Sequence, residues 1–432
     1  MKKIALISHG CAKNLVDSEL ISGLLIQNGY EVTLNENESD IAIVNTCSFI
    51  CDAERESIHS ILELVEKGKN VIVAGCLAQK HADELKAEIP ELAAVVGTTD
   101  FTKIIDVLKH INKEYVSEVS SKPEYNYPEE IKRAQITMGA SSYIKIADGC
   151  NYRCGYCVIP YLRGDYHSRK MENIISEAEE MVKNGVTEII LIAQDTTGYG
   201  IDIYGKPMLA ELLKKLNKIE GLGWIRVMYA YPTNMNDELL KAIAECDKVV
   251  KYVDIPLQHS DLEMLKLMNR PSFDYRKLIK KIRSTIPDVS IRTAFIVGYP
   301  QETEEMFDNL CNFVKEMKFD RLGVFCYSRE KGTPSYSMKP LVPKKVAKER
   351  YNKLMAIQQE ISLERNKKFV GKTLPCIVEC ASDNGEVIAR TEYDAPEIDG
   401  IVNIKTDKVA IPGDIEMVKI IGATEYDLIG KM

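Results

Sequence analysis

The chain alternates short apolar runs with stretches in which apolar residues recur every three or four positions. In the first 110 residues the apolar runs are 4–8, 41–45, 71–75 and 94–97. The stretches with helical spacing between and after them include 14–28, 52–67 and 101–111. Buried runs separated by amphipathic segments are typical of parallel strands connected by helices. The pattern predicts an α/β fold that begins with a doubly wound parallel sheet.

A second region repeats the same alternation after a polar segment, 112–140, which contains Pro123 and Pro128 and is predicted to be a linker. Six strand-then-helix units follow, with helices such as 172–183 and 303–317. Their strands are predicted at 143–147, 188–193, 224–230, 252–257, 290–297 and 321–327. Because a complete (β/α)8 barrel needs eight units and about 250 residues, six units predict an open, partial (β/α)6 barrel.

The carboxyl-terminal part changes to a period of two, after a long charged helix predicted over 343–368. The alternating runs are 375–382, 386–393, 401–406 and 414–424. This pattern predicts a small antiparallel β-barrel. We therefore expect three domains, with bounds at 1–120, 136–368 and 369–432.

The composition indicates the number of domains, the compartment and the kinds of partner to expect. The chain has 432 residues, of which 45% are apolar, more than one core usually organises. Its start, MKKIALISHG, has too short an apolar run for a signal peptide or a membrane span. We expect a cytoplasmic chain, monomeric and without a membrane partner. A net charge of −8 argues against strong nucleic-acid binding.

Charge is concentrated in the predicted terminal barrel. Residues 371–432 contain six Lys and Arg against twelve Asp and Glu, a net charge of −6 out of −8 for the whole chain. Such a domain repels phosphates and attracts a basic partner.

Three cysteines lie close together as Cys150-x3-Cys154-x2-Cys157. A closed structural zinc site takes four protein ligands, and neither a fourth Cys nor a suitably spaced His is near. Iron–sulfur clusters prefer thiolates, and a [4Fe–4S] cube held by three would keep one iron open. The alternatives are a three-Cys zinc loop or chance clustering. We call these residues the loop cysteines.

Three further cysteines follow predicted strands of the first domain. Cys11, Cys47 and Cys76 each come within three residues of a strand end. Loops at the carboxyl ends of parallel strands share one crevice, so these thiols are predicted to converge and to hold a second cluster with an open iron. The alternative is that they are inert buried cysteines. We call them the edge cysteines. Cys51, one helical turn from Cys47, is a possible extra thiol without an assigned role.

Polar and aromatic residues also follow the strands of the predicted partial barrel. Gly298 could allow close approach of backbone to a ligand, although a plain turn explains it equally well. Gln258 and His259 could bind a cofactor or substrate, or could only satisfy hydrogen bonds at a strand end. The strand ends carry 194–197, 229–232, 258–259, 298–300 and 327–329.

The loop cysteines and Tyr156, an aromatic residue just before the third of them, resemble the signature of radical S-adenosylmethionine enzymes. The order of the three domains resembles that of the methylthiotransferases, which end in a TRAM domain. The following segments are similar to the RimO-type branch, which modifies an aspartate of small ribosomal subunit protein twelve: HGCAKNLVDSE (9–19), IAQDTTGYG (192–200), YVDIPLQHS (252–260), DRLGVFCYSREKGTP (320–334) and ARTEYDAPEIDG (389–400).

The tRNA-modifying, MiaB-type branch shares GCNYRCGYC and VIPYLRG with this chain. That branch usually has Gln-Met-Asn after the first Cys and Gln-Asn-Val-Asn after the second barrel strand. Here those places hold 12–14, Ala-Lys-Asn, and 194–197, Gln-Asp-Thr-Thr. His167, where Arg is more frequent, is the one local departure.

The resemblance implies two [4Fe–4S] clusters, on the edge and the loop cysteines, and S-adenosylmethionine bound near Tyr156, Gln258 and Gly298. It implies a radical that takes hydrogen from the aspartate β-carbon, which then captures a methylated sulfur. Reduced ferredoxin or flavodoxin would supply the electron, and protein twelve would be modified alone or within the ribosomal subunit. No acid–base residue is assigned beyond the cluster ligands. The alternatives are a tRNA adenosine methylthiotransferase and a non-enzymatic iron–sulfur or zinc protein that binds ribosomes.

Overall fold

The computed structural model describes residues 2–48, 51–111, 113–136 and 139–432. The chain divides into two compact units. The first unit contains 1–138 together with 148–151 and 157–167, and the second contains 139–147, 152–156 and 168–432. The segment with the loop cysteines therefore contributes to both units.

The first unit is built on a six-stranded parallel sheet with the order β2-β1-β3-β4-β5-β6. Its strands are β1 Lys3–Ser8, β2 Glu31–Thr33, β3 Ile41–Thr46, β4 Asn70–Gly75, β5 Ala94–Val96 and β6 Val116–Glu118. Its helices are α1 Ala12–Gln27, α2 Cys51–Glu66, α3 Cys76–Glu88 and α4 Ile104–His110. In this order the connections change direction between β1 and β3. In such sheets ligands bind in the crevice that this change opens at the carboxyl ends of the strands.

The apolar runs of the first domain are strands, as predicted, and both faces of the sheet are buried. Ile43 and Val44 of β3, like Ile72 and Val73 of β4, point to opposite faces and are all 0% exposed, the condition under which a strand is apolar along its whole length. Strands β2 and β6 were not predicted. Both are short edge strands without an apolar run, so neither produces the pattern of a buried strand.

The polar segment after the first domain is not a plain linker in its described part. It contains β6, and 132–134 lie against α1, where Ala134 N–H donates to the Glu19 carbonyl over 3.1 Å. Arg133 Nε lies 3.0 Å from the buried Glu19 carboxylate. A Cβ at Gly23 would be 2.0 Å from the Lys132 carbonyl oxygen, so this glycine permits the close contact. Residues 112, 137 and 138 of the predicted linker lie outside the described residues.

The second unit contains two three-stranded parallel sheets, β11-β10-β7 and β12-β13-β14. An isolated bridge pairs Ile225 of β11 with Val249, three residues before β12, and Ile225 N–H donates to the Lys248 carbonyl over 2.7 Å. The six strands are β7 Ser141–Lys145, β10 Glu188–Ile192, β11 Trp224–Val227, β12 Tyr252–Asp254, β13 Ser290–Val297 and β14 Arg321–Cys326. All six predicted strands are present in sequential order, as in a partial (β/α)6 barrel.

The remaining elements of the central region are mostly helices. They are β8 Ala147–Asp148, α5 Ile159–Arg163, β9 His167–Ser168, α6 Met171–Lys183, α7 Ile201–Tyr204, α8 Leu209–Leu216, α9 Asp237–Glu245, α10 Leu262–Leu267, α11 Tyr275–Thr285, α12 Glu304–Met317 and α13 Lys344–Lys367. The predicted helices at 172–183, 303–317 and 343–368 correspond to α6, α12 and α13. Among the residues that the structure describes, no helix is both long and apolar enough to cross a bilayer.

The terminal region is a closed five-stranded barrel in the order β15-β16-β17-β19-β18. Its strands are β15 Thr373–Ala381, β16 Glu386–Thr391, β17 Val402–Lys405, β18 Ile415–Ala423 and β19 Leu428–Lys431. Four neighbouring pairs are antiparallel, and β17 pairs with β19 in parallel. A ring of five strands cannot alternate direction throughout, so one parallel pair is unavoidable. The fifth strand, four residues long, was not predicted.

A buried ion cluster joins this barrel to β10 within the second unit. The Glu188 carboxylate, at the start of β10, accepts hydrogen bonds from Arg226 Nε over 2.8 Å and from the Arg390 guanidinium. Burial alone would raise the pKa of Glu188, but the two guanidinium groups outweigh it and lower that pKa to about 2. The cluster fixes the terminal barrel to the sheet by charge as well as by packing.

Candidate cysteine centres

The edge cysteines follow three neighbouring strands of the first sheet. Cys11 comes three residues after β1 and caps α1, while Cys47 directly follows β3 and Cys76 directly follows β4. Because β1, β3 and β4 are adjacent and parallel, all three cysteines lie at the carboxyl edge of one sheet. The sequence prediction of their placement is confirmed.

The edge cysteines are also close to one another. A Cβ at Gly10 would lie 2.6 Å from the Cys47 Cβ and 2.9 Å from its Sγ, so the loop before Cys11 rests directly on Cys47. The pKa of Cys76 is raised to about 12, mainly by burial; the charge of Arg163 opposes this rise, and the charges of Cys11 and Cys47 contribute to it. The structure brings the three predicted thiols together.

Asn14 connects the three edge loops. It is 1% exposed, in the first turn of α1. Its Nδ2 donates to the carbonyl of Thr46, the residue before Cys47, over 2.8 Å and to the His9 carbonyl over 3.2 Å. Its Oδ1 accepts from Cys76 Sγ over 3.8 Å. One amide therefore sets the spacing of all three loops, because each of its contacts lies on a different strand end.

Arg163 lies beside the edge cysteines. This guanidinium is 2% exposed and forms ion pairs with Asp17 at 2.9 Å and with Asp148 at 2.8 Å. It also donates to Asn14 Oδ1 over 2.6 Å and to Cys76 Sγ over 3.9 Å. Two carboxylates thus neutralise the cation that faces the Cys76 sulfur.

The pKa values of two edge thiols move in opposite directions. Cys11 is exposed at the surface. The protein around it removes part of the solvation of its thiolate, which acts to raise the pKa, but the positive charges of Lys13 and Arg163 and two backbone N–H donors outweigh this effect and lower the pKa. Burial dominates at Cys76, whose pKa is raised. Metals bind thiolates, and metal binding releases the thiol proton. The site therefore holds one thiol that is readily ionised and another that ionises when a metal supplies positive charge.

The loop cysteines are held by contacts on both sides of the loop. In the first unit, Cys150 N–H donates to the Gly164 carbonyl over 3.1 Å. Gly149 has a φ of 79°, and a Cβ there would lie 1.9 Å from the Asp165 carbonyl oxygen, so only glycine fits. Cys157 belongs to the same unit, whereas Cys154 belongs to the second unit.

Backbone hydrogen bonds fix the part of the loop around Cys154. Gly155 N–H donates to the Met268 carbonyl over 2.8 Å, and its carbonyl accepts from Ser335 N–H over 2.9 Å. The neighbouring Tyr156 packs against a buried cluster that includes Met268 and Tyr299. The residue predicted to bind a cofactor is therefore partly used for packing.

Arg270 is the second arginine beside a predicted ligand. Its Nη1 donates to Cys154 Sγ over 3.9 Å and its Nη2 to the Pro256 carbonyl over 2.6 Å. Its guanidinium carbon lies 4.4 Å from the centre of the Tyr231 ring. The sequence analysis did not single out this residue, since one Arg after an apolar helix gives no pattern.

Arg270 packs on one ring of a stacked pair of tyrosines. The rings of Tyr152 and Tyr231 are 3.6 Å apart and inclined by 6°. Tyr152 O–H donates to Asp195 Oδ2 over 2.9 Å, and Asn234 Nδ2 donates to the same oxygen over 2.8 Å. Asp195, which follows β10, thereby fixes the tyrosine that precedes Cys154 by two residues.

The predicted strand-end residues have identifiable structural roles. His259 is buried, accepts from Asp261 N–H at Nδ1 over 3.0 Å and lies with Nε2 3.3 Å from Glu302, so its hydrogen bonds are satisfied within the protein. Gln258 has a φ of 72° and exchanges backbone hydrogen bonds with β13. A Cβ at Gly298 would lie 2.4 Å from the Ala347 Cβ, so this glycine permits close packing of α13. Cofactor binding by Gln258 and Gly298 stays a prediction.

The arrangement can be tested against the two kinds of metal centre considered above. Among the described residues, no group of three or more His, Cys, Asp or Glu side chains could hold a single metal ion. In a [4Fe–4S] cube each thiolate binds a different iron, so its ligands stand further apart than those of one zinc ion. Three neighbouring thiols beside a buried arginine, as in the edge set, fit an anionic iron–sulfur cluster better than a zinc ion.

Three family models match this chain. Residues 3–97 match Uncharacterized protein family UPF0004, residues 144–314 match the Radical SAM superfamily, and residues 370–432 match the TRAM domain. The three matches follow the order expected from the sequence.

Several curated proteins are similar over their full length. Ribosomal protein uS12 methylthiotransferase RimO of Thermoanaerobacter sp. is 49% identical, with 100% of both chains covered. The proteins of the same name from Caldanaerobacter subterraneus subsp. tengcongensis and Caldicellulosiruptor saccharolyticus are 48% and 44% identical, again with 100% of both chains covered.

Two solved structures share the fold. The radical S-adenosylmethionine methyltransferase TsrM from Kitasatospora setae has a TM-score of 0.58 at 14% identity, over 78% of this chain and 74% of that one. The cobalamin-dependent S-adenosylmethionine radical enzyme OxsB has a TM-score of 0.52 at 12% identity, over 84% of this chain and 56% of that one. At these identities the similarity concerns the fold alone.

Proposed function

We propose a function from one premise, that the chain belongs to the RimO family of ribosomal protein uS12 methylthiotransferases. The chain is a sulfur-transferring enzyme of the radical S-adenosylmethionine type. It adds a methylthio group to the β-carbon of one aspartate of small ribosomal subunit protein twelve. The observation that carries this proposal is the convergence of the edge cysteines in a chain that also has a radical S-adenosylmethionine region.

The six cysteines divide into two ligand sets. Cys150, Cys154 and Cys157 hold one [4Fe–4S] cluster, near which Tyr156, Gln258 and Gly298 contact S-adenosylmethionine. The edge cysteines, Cys11, Cys47 and Cys76, hold a second [4Fe–4S] cluster. Together these groups supply a carbon radical strong enough to take hydrogen from an unactivated C–H bond, and a sulfur for the resulting carbon to capture.

The protein's own residues position these groups and control their electrostatics. Asn14 keeps the three edge loops at a fixed spacing. Arg163 holds Asp148, near the start of the cysteine loop, against Asp17 of α1. Tyr152, two residues before Cys154, is held by stacking on Tyr231. Pre-organised neighbours of this kind orient ligands and tune a metal centre.

The terminal barrel is the surface suited to a basic protein. Arg390 is buried against Glu188, while Asp394 and Asp399 have buried side chains that pair with Arg321 and Arg292. Five lysines and ten acidic side chains remain in the barrel, a net charge of −5. Ribosomal proteins are basic, whereas tRNA is not. The barrel therefore favours protein twelve, free or within the ribosomal subunit, over a tRNA anticodon loop.

The remaining features of the proposal follow from this substrate. The enzyme works in the cytoplasm, as a monomer, with reduced ferredoxin or flavodoxin as electron donor. Its chain has three functional segments, 1–120 for the second cluster, 136–368 for radical generation and 369–432 for substrate contact.

The test compares two substrates. Anaerobically reconstituted enzyme is incubated with S-adenosylmethionine, a reductant and either purified protein twelve or unmodified tRNA, and the products are examined by mass spectrometry. We expect a methylthio increment on one aspartate of protein twelve and none on tRNA. Modification of tRNA alone would overturn the choice of substrate, and a wild-type chain that binds zinc but no iron would overturn the enzyme itself.

A further inference from the structure

Arg270 differs from the other buried arginines of the described chain. Seven arginines there are at most 9% exposed. Six of them form an ion pair with a carboxylate within 4.0 Å: Arg163, Arg169, Arg226, Arg321, Arg350 and Arg390. Arg270 has no carboxylate partner among the described residues, and its Nε is buried without a hydrogen bond.

The contacts of Arg270 hold the cation without neutralising it. The Pro256 carbonyl and the face of Tyr231 offer only partial negative charge. The groups that raise the pKa of Arg270 against the effect of burial are themselves weak acids, namely Tyr156, Cys154, Tyr231 and Tyr275.

An unpaired buried charge is costly, and proteins keep such a group where it has a partner or a task. The position of Arg270 indicates the partner, because its Nη1 points at Cys154 Sγ over 3.9 Å. A thiolate-ligated iron–sulfur cluster carries negative charge and accepts hydrogen bonds at its sulfurs, and both effects set its reduction potential.

We propose that Arg270 is the built-in counter-ion of the cluster on the loop cysteines, so that its charge is balanced only when that cluster is bound. This inference rests on the proposed function. Arg270 is a positioning residue that raises the reduction potential of the cluster and slows its loss. The stack of Tyr152 and Tyr231 holds the guanidinium in place for this purpose.

The proposal predicts opposite effects of one substitution on the empty and the loaded protein. Arg270→Met keeps the length of the side chain and removes a charge that is unbalanced in the cluster-free chain. That chain should therefore be as stable as wild type, or more stable. In the loaded chain the same change removes a counter-ion, so the cluster should be lost faster and its potential should become more negative.

The experiment uses the full chain with Cys11, Cys47 and Cys76 replaced by Ala, so that only the loop cluster is present. Arg270→Met, Arg270→Lys and Arg226→Met are compared in that background. Arg226 is the matched control, because it is buried, pairs with Glu188 and contacts no cysteine among the described residues. Urea unfolding of the cluster-free proteins, iron release to a chelator and a redox titration followed by electron paramagnetic resonance are measured. If the triple background does not fold, the S-adenosylmethionine-responsive signal of the six-cysteine chain is titrated instead.

For Arg270→Met we expect an unchanged or higher urea midpoint without iron, iron release about tenfold faster, and a more negative potential. Arg270→Lys should restore most of the potential. Arg226→Met should lower the urea midpoint and leave the potential unchanged. The contrary result is that Arg270→Met lowers the urea midpoint as Arg226→Met does and leaves the reduction potential of the cluster unchanged. In that case Arg270 only stabilises the fold, and the inference is wrong. A wild-type chain without iron would overturn the proposed function and the inference together.

Discussion

The two cysteine sets differ in how the nearby positive charge is balanced. In each set a buried arginine donates from its Nη to a cysteine sulfur over 3.9 Å, Arg163 to Cys76 and Arg270 to Cys154. Two carboxylates neutralise Arg163, whereas an aromatic ring and a carbonyl hold Arg270. The same residue type at the same distance therefore produces two different local charges.

This difference assigns different tasks to the two sets. Positive charge near a cluster favours its reduced state, and a neutralised cation has a smaller effect. We expect the electron to enter at the loop cluster, beside Arg270. The proposed edge cluster would lie beside a cation already paired twice, which suits it to hold sulfur without being reduced.

Cysteine substitutions separate the two tasks and should have the largest effect. Cys154→Ala is expected to abolish formation of 5′-deoxyadenosine, because the loop cluster loses a ligand. Cys47→Ala should leave that cleavage intact and stop methylthiolation. Both products are quantified by mass spectrometry. The control is Cys311→Ala, a buried cysteine of α12 that belongs to neither set, which should change neither product. Full methylthiolation by Cys47→Ala would refute the assignment of the edge set.

Arginine substitutions test the charge difference directly in the cluster-free chain. Arg163→Met leaves Asp17 and Asp148 buried without a cation, so we expect a loss of about 3–5 kcal/mol in the free energy of unfolding. Arg276→Met, which removes a partly exposed ion pair with Glu316, should cost about 0.5 kcal/mol. Urea unfolding measures both. A cost at Arg163 no larger than the cost at Arg276 would remove the distinction between the two cysteine sets.

Acid should weaken the second unit at Glu188, a buried residue outside both cysteine sets. The pKa of Glu188 is lowered to about 2 in the folded chain, below its value of about 4.3 when unfolded. A lowered pKa stabilises the fold above the unfolded value. That stabilisation, on the order of 3 kcal/mol, is lost as the pH falls from about 4 towards 2. Urea unfolding of cluster-free protein across this range measures the loss, and a stability that does not fall there would contradict the role of Glu188.

Asn14 should show a smaller effect that is specific to the edge set. Asn14→Ala leaves the buried carbonyl of Thr46 without its donor, which costs about 1–3 kcal/mol. It should also reduce the iron retained by the edge cysteines, while 5′-deoxyadenosine formation continues. Asn28→Ala, at the exposed end of the same helix, is the control and should cost a few tenths of a kcal/mol. Equal iron retention in both variants would mean that Asn14 does not position the edge loops.

Much of the fold follows from sequence patterns, and the failures have physical causes. Strands such as β1, β3 and β4 are apolar on both faces, so each produces a continuous run that is visible without a structure. The edge strands β2 and β6 bury little and produce no run. The segment 132–134 lies on α1 through backbone contacts and one ion pair, which no local pattern indicates.

The candidate centres show the same limit. The position of each edge cysteine after a strand could be predicted, because parallel strands end at one edge. Asn14, Arg163 and Arg270 could not be assigned, because most of their partners are from 14 to 149 residues distant in the chain. Charge balance around a cysteine depends on such distant contacts, and only the folded chain displays them.

The iron content of two triple variants tests the presence of two centres most directly. Wild-type protein reconstituted without oxygen should bind about eight irons per chain, from two [4Fe–4S] clusters. Replacing Cys11, Cys47 and Cys76 by Ala should leave about four, and replacing Cys150, Cys154 and Cys157 by Ala should also leave about four. A wild-type chain with only about four irons, unaffected by loss of the edge cysteines, would contradict the second centre.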